Sequence, residues 1–217
     1  MDLAEYKARY GAGNGSPGWD AIDKRCEALY PGQEPVHFLA AAPAMAGGPD
    51  ILEGVSVYAS DHGPVPHLHY VSYGMSNLHY DEEAVGGEFS RWGFEFTFRL
   101  KAKAKDARNN SWPVQLMQNL ARYVESTEKW FEEFHFIGTN GPIRADYPTA
   151  LTAIAFVRDP ELGEMETPHG KVVFLQIVGL TTDEFQAELP TAGAGIEALL
   201  DRLRTGNPLL VTELDRT

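Results

Sequence analysis

The stretch Trp92-Gly-Phe-Glu-Phe-Thr-Phe-Arg-Leu-Lys101 constrains this chain more than any other. Trp92, Phe94, Phe96, Phe98 and Leu100 alternate with Gly93, Glu95, Thr97 and Arg99. A period of two puts the five large residues on one face of a sheet and leaves the other face polar. A strand of this kind needs a covering layer. Val172-Val-Phe-Leu-Gln-Ile-Val178 is apolar on both faces except at Gln176, so it is expected to be a central strand with layers on both sides.

Further short strands are expected at Val36–Ala42, Gly54–Tyr58, His67–Tyr73, Leu151–Val157 and Pro208–Thr212, the second and third of them bounded by Gly, Pro and Asp. Ser16 caps a helix with Pro17 in its first position, and Pro31-Gly32 stops it after Leu29 and Tyr30. The longest helix is expected from about Val114 to Glu132, with Leu116, Met117, Leu120, Val124 and Phe131 on its apolar stripe. Glu125 and Lys129 stand four apart on its wet side, in the favoured order. Lys101 to Asn110 reads as a charged, mobile loop. Thr181-x-x-Glu184 is a capping box for a short helix, and Ile196–Leu203 forms another. Many strands in succession with few helices give an α+β class, a mixed and mainly antiparallel sheet flanked by helices.

At 217 residues the chain is long enough to bury roughly 70 % of its unfolded surface, so it needs no metal or disulfide staple. The Gly/Asn/Ser stretch Gly11–Ser16 reads as a hinge, giving a partly flexible N-terminal segment (1–16) and one domain (17–217). Cys26, the only cysteine, excludes an internal disulfide and a cysteine-rich zinc site, and is read as a core thiol. No signal peptide and no long apolar run are present, so a cytoplasmic protein is expected. The net charge of −13 repels phosphate backbones and anionic membranes and attracts a basic partner. The same charge also serves solubility alone.

No G-x-S-x-G, C-x-x-C, H-E-x-x-H or P-loop occurs, and the pairs Gly47-Gly48 and Gly86-Gly87 read as turns. His67 and His69 lie two apart on a strand and so share a face, with His62 and His79 in flanking loops. The pattern does not close into a metal site, and hydrogen-bonded histidines on a polar face are expected instead, with no cofactor. Glu95 and Arg99 share their strand's polar face and are expected to pair. Gln176 is a lone amide in an apolar strand, which must find partners or cost roughly 1–3 kcal/mol. Both a structural network and a binding site remain open for it. An enzyme or metal-binding protein using the His67/His69/Glu95 face is the alternative reading.

Several segments resemble the Suppressor of fused family. Gly18-Trp-Asp-Ala-Ile-Asp and Leu29-Tyr-Pro-Gly-Gln are similar to the start and end of its first helix. Gly47-Gly-Pro-Asp-Ile-Leu-Glu-Gly-Val-Ser-Val-Tyr58, His67-Leu-His-Tyr-Val-Ser-Tyr-Gly74 and Gly93-Phe-Glu-Phe-Thr-Phe-Arg-Leu-Lys101 resemble its strands. Trp112-Pro-Val-Gln-Leu-Met-Gln-Asn-Leu-Ala-Arg-Tyr-Val124, Thr167–Gly179 and Leu209–Asp215 follow in the same order, so the resemblance covers about Gly18 to Thr217.

It implies a fold like the family's N-terminal domain, and a non-enzymatic module that binds a protein or peptide. Animal members are regulators of the Hedgehog pathway that grip a Gli peptide as an added strand between two domains. Here the chain is expected to stop after the first of these. Single-domain bacterial members resemble immunity proteins of toxin systems. Tyr123, in Ala-Arg-Tyr-Val, matches a residue the family uses against its peptide, although packing on the helix's buried stripe is an equal reading. The acidic residue of the following loop is replaced near His135. The partner-binding candidates are Tyr123, His67, His69, Glu95 and Gln176.

Overall fold

The computed structural model describes residues 1–11, 15–61 and 63–217. The middle of the Gly11–Ser16 hinge and His62 lie outside the described residues. Helix α1 (Leu3–Tyr10) starts from a capping box in which Asp2 and Glu5 satisfy each other's backbone N–H. Its Tyr6 is fully buried, accepting from the Asp81 backbone N–H at 3.0 Å and meeting His169 Nε2 at 2.7 Å.

Helix α2 (Pro17–Leu29) has Pro17 at its first turn and buries Ile22 and Cys26. Burial pushes the Cys26 thiol up to about 12. Gly18 of α2 is held against the segment before Tyr80, its N–H bonded to Leu78 O at 3.0 Å. A Cβ there would lie 1.9 Å from Asn77 O, inside the backbone. Gly18→Ala is therefore expected to cost roughly 1–3 kcal/mol by overpacking, read as a lower denaturant midpoint at unchanged slope.

The sheet consists of β1 (Val36–Leu39), β2 (Gly54–Ser60), β3 (His67–Tyr73), β4 (Phe89–Lys101), β5 (Phe136–Gly138), β6 (Leu151–Arg158), β7 (Glu164–Thr167) and β8 (Gly170–Thr181). Its order is β1-β2-β3-β4-β8-β6-β5, with β7 beside β8. Only β4 and β8 run parallel among the described pairs, so the sheet is mixed and mainly antiparallel. β8, the Gln176 strand, is central as its two-sided apolar pattern requires.

The Phe94-Phe96-Phe98-Leu100 face lies with Val55, Leu68, Phe156 and Ile177 under Met117, Leu120, Ala121 and Val124 of helix α3 (Trp112–Thr127). Phe96 and Phe98 are fully buried, each burial stabilising by about 1.5–3 kcal/mol. The opposite face carries two smaller clusters. One packs Ile22, Cys26 and Tyr30 on Tyr58, Val71, Tyr73 and Phe174. The other packs Leu199 and Leu200 of helix α5 (Ile196–Arg204) on Ala153, Ala155, Val157 and Val178. Helix α4 (Thr182–Glu188) opens with the expected Thr181–Glu184 box. The result is a sheet between two helical layers.

Four sequence expectations need correction. α3 ends at Thr127 rather than Glu132, because Glu128 turns to φ +57°. Phe131 then enters the core from the loop, stacked on Phe156 at 4.2 Å, and Glu125 pairs with Arg91 at 2.8 Å instead of with Lys129. The Lys101–Asn110 segment holds a short 3-10 turn, Ala104–Asn109, with Ala107 buried and the Asn110 carbonyl accepting from Tyr70. Pro208–Thr212 makes only a single parallel bridge, Leu100 to Thr212, since Leu210 at φ +49° interrupts an extended run. No helix among the described residues is long and apolar enough to cross a membrane.

Candidate docking site

Between the two smaller clusters the sheet buries a polar seam. Cross-strand register places His69 opposite Arg99, and Thr97 opposite Gln176. After β6 the Asp159 N–H bonds to Phe174 O and the Phe174 N–H to Gly163 O, so the turn from Asp159 to Gly163 starts and ends on β8, and it turns the Asp159 carboxylate inward onto Thr97 and Arg99. Asp159 Oδ1 accepts from the backbone of Glu161 at 2.9 Å and of Leu162 at 2.8 Å, an Asx-type turn that holds the loop.

Arg99 grips Asp159 with both terminal nitrogens, at 2.6 and 3.0 Å, and also donates to Glu161 at 2.9 Å and to Gln176. Thr97 Oγ1 donates to Asp159 at 2.8 Å. Burial alone would raise the Asp159 carboxyl, but His69 and Arg99 beside it hold it well below the ordinary carboxylate range. An ionised Asp159 can only accept, so His69 Nε2, at 3.0 Å, carries the proton, and Nδ1 accepts from Tyr30 OH at 2.7 Å. Burial, and after it the Arg99 charge, lower His69 to about 4. The Gln176 amide nitrogen donates to Leu209 O at 2.8 Å and Leu210 O at 3.2 Å, tying the C-terminal segment to β8.

Tyr30, His69 and Asp159 thus stand in the order hydroxyl, base, acid, but none of the three lines the cavities beside Trp130, Tyr147, Met165, Leu203 or Gln33. Glu95 does not pair with Arg99. It accepts instead from Ser72 Oγ at 2.5 Å, Gly74 N at 3.0 Å, Ser76 N at 2.9 Å and Ser76 Oγ at 2.7 Å. Burial raises its carboxyl all the same. The reason for the lost pair is separation along β4: each charge is closed off by its own loop, after β3 for Glu95 and after β6 for Arg99.

His67, His69, Glu95 and Gln176 are therefore inside the molecule, at 0–1 % exposure, and are not presented at its surface in this conformation. Among the described residues no group of three or more His, Cys, Asp or Glu side chains is placed to hold a metal. Tyr123 is the one sequence candidate on the surface, 41 % exposed, its ring stacked on Phe131 at 5.7 Å.

Phe131 also lines a groove of about 500 Å³ that the sequence did not signal. β4 and β8 pair at Phe89–Lys171 and next at Phe94–Val173, so β4 bulges away between them, with Arg91 at φ +54° and Gly93 at φ +79°. The gap is lined by Phe89, Trp92, Phe94, Val173 and Leu175, and closed by Trp130 to Glu133 and Arg158. The exposed large aromatic side chains among the described residues are Phe89, Tyr123 and Trp130. Two line the groove and the third stacks on its wall. Soluble surfaces gather such rings in one place where something docks.

The chain is similar to known proteins in sequence and in fold. The family model "Suppressor of fused protein (SUFU)" matches residues 48–217. The human Suppressor of fused homolog is 37 % identical over 212 residues, covering 92 % of this chain and 43 % of that protein. The chain therefore spans less than half the length of the curated relatives it matches. Among solved structures, a Sufu–Fu complex superposes with a TM-score of 0.82 at 32 % identity, over 94 % of this chain and 92 % of that one. Drosophila Suppressor of Fused gives 0.79 at 32 % identity, over 94 % of this chain and 51 % of that one. A Neisseria gonorrhoeae homolog gives 0.60 at 12 % identity, over 92 % and 95 %, which shows a shared fold.

Proposed function

The chain belongs to the Suppressor of fused family, and on that premise we propose that it is a non-enzymatic binding module, a regulator that holds a segment of another protein. The observation that carries this reading is the convergence of Phe89, Tyr123 and Trp130 on one groove. Aromatic rings of this kind supply large contact area at small entropic cost and dominate interface energetics. Phe131 leads within a few residues to β5, which ends the sheet and pairs only with β6 among the described strands. A partner segment has both an anchor and a free edge to add to.

A relative of the same fold is solved as a complex of Sufu with Fu, which supports a docked protein as the ligand class. An immunity protein neutralising a basic toxin is the narrower form of the same reading, favoured by the net charge of −13. The enzyme alternative at His67, His69 and Glu95 has against it that these groups sit in separate sealed networks.

The test is co-purification from the native cells at low salt, comparing wild type with Tyr123→Ala. An enriched protein partner, captured at least about tenfold less well by the variant, is expected for a hot-spot tyrosine. Equal capture by both, or no enriched protein, would count against the proposal. An unchanged melting temperature in the variant confirms that only the surface was altered, as 41 % exposure implies.

A further inference from the structure

The groove beside Trp130 has a charge pattern that its packing does not require. Two cations line it, and both are satisfied within the chain: Arg91 by Glu125 at 2.8 Å and Arg158 by Glu164 at 3.2 Å. Two anions line it, and neither meets a lysine or arginine among the described residues. Glu132 accepts from Trp130 Nε1 at 3.0 Å and stands 3.9 Å from His135 Nε2. Glu133 accepts from the Arg158 backbone N–H at 3.2 Å. The floor of Phe94, Val173 and Leu175 is apolar, and the volume of about 500 Å³ falls in the range of roughly 300–1,000 Å³ typical of ligand pockets. The groove therefore presents an apolar well with uncompensated negative charge on one wall.

We propose that this groove is the anchor pocket of the docking surface. Its occupant is a partner segment that inserts one aromatic side chain and sets lysine or arginine against Glu132 and Glu133. The inference rests on the reading of the chain as a binding module and adds the chemistry of what it binds. The other candidate occupants meet an opposing charge. A second copy of a chain with net charge −13 is repelled, and so are phosphate-bearing ligands and anionic lipid surfaces. A basic segment gains steering toward the site and loses little on desolvation, because the two glutamates stand on the rim. The aromatic anchor gives the contact its depth. The carboxylate pair gives it its sign.

The probe is an acetylated and amidated peptide, Lys-Lys-Gly-Phe-Gly-Lys-Lys, titrated against the full chain by calorimetry. Its controls carry alanine for the phenylalanine, or glutamate for the lysines. The parent peptide is expected to bind at least roughly fivefold tighter than either control, with a contact that weakens as salt rises. The double substitution Glu132→Gln with Glu133→Gln should erase most of that preference. Asp20→Asn with Glu197→Gln, exposed charges on α2 and α5 that remove the same net charge, should leave it intact.

Parent and alanine peptides binding alike would overturn the anchor. An unaltered preference in the Glu132/Glu133 variant would overturn the charge assignment. The broader reading is tested separately by the Tyr123 dependence of partner capture. If that dependence holds while the peptide preference fails, the anchor chemistry is wrong and the docking module stands. If the Tyr123 dependence fails, the module reading goes first.

Discussion

Replacing Asp159 by alanine is expected to destabilise the fold by about 3–5 kcal/mol, the cost of leaving a buried charge without its partner. Arg99 has no exposed surface, and Asp159 satisfies both its terminal nitrogens while also accepting from Thr97 and His69. Without that carboxylate the guanidinium keeps, among the described residues, only Glu161 and the Gln176 carbonyl. The turn that Asp159 holds through the Glu161 and Leu162 amides would loosen as well. For a chain of this size the loss corresponds to a melting temperature lower by roughly 6–20 °C. Joint replacement of Arg99 by methionine and Asp159 by leucine should recover a large part of it, because both the charge and its desolvation cost then disappear. A single variant that loses under about 1 kcal/mol in chemical denaturation would show that the seam is not held in this way.

What the seam supplies is alignment. Its members come from β3, β4, β8 and the loop that closes β6, so one ion pair checks the register of several strands at once. A slip of one residue would carry Arg99 to the phenylalanine face and bury it among apolar side chains. That is a steeper penalty than any single apolar mismatch on the same strands.

The strand carrying this ion pair was the most legible element in the sequence, and its polar face the least. Alternation from Trp92 to Leu100 fixes which side chains share a face, and the structure puts Phe94 to Leu100 together as expected. Alternation says nothing about whether the other face is wet. Glu95, Thr97 and Arg99 read as a polar face, and all three are fully buried, because the segment after β3 closes over Glu95 and the Asp159–Gly163 loop closes over Thr97 and Arg99. Asp159 itself sits between Arg158 and Pro160, where a loop carboxylate carries no local mark of a buried partner. Gln176 was visible as an anomaly in an apolar run, and its network is what the desolvation argument asks for.

The docking groove was hidden for a different reason. It arises from a bulge between two strands that pair in parallel and lie far apart in sequence, and no local period encodes a parallel register. Phe131 follows the helical stripe seven residues after Val124, well enough to be read as its continuation. The positive φ of Glu128, which sends Trp130 to the surface and Phe131 to the core, falls on a residue with no turn preference of its own.

His69 should make stability fall as the solution is acidified from pH 6.5 toward pH 4. The imidazole is neutral in the folded chain because Asp159 takes the Nε2 proton's bond and Tyr30 fills Nδ1, while burial and Arg99 oppose a second proton. Its value is about 6.5 when unfolded and about 4 when folded, so between these the unfolded chain binds more protons. Stability then rises with pH across that window, and the full span is worth roughly 3 kcal/mol. Two carboxyls act elsewhere or in the opposite sense. Asp159 is depressed, so its contribution is lost only as pH falls below the ordinary carboxylate range, beneath the histidine window. Glu95 is raised by burial, so its contribution is complete in acid and is lost as pH rises through its folded value, against the trend of His69. Comparing wild type with His69→Gln by denaturation at pH 7, 5.5 and 4 removes Glu95 from the difference and stays above the range in which Asp159, still paired with Arg99, gains its proton. That difference should narrow by roughly 3 kcal/mol toward acid, where the histidine is penalised and the amide is not. A constant difference would mean that the imidazole enters the seam already charged, and that Arg99 does not govern its proton.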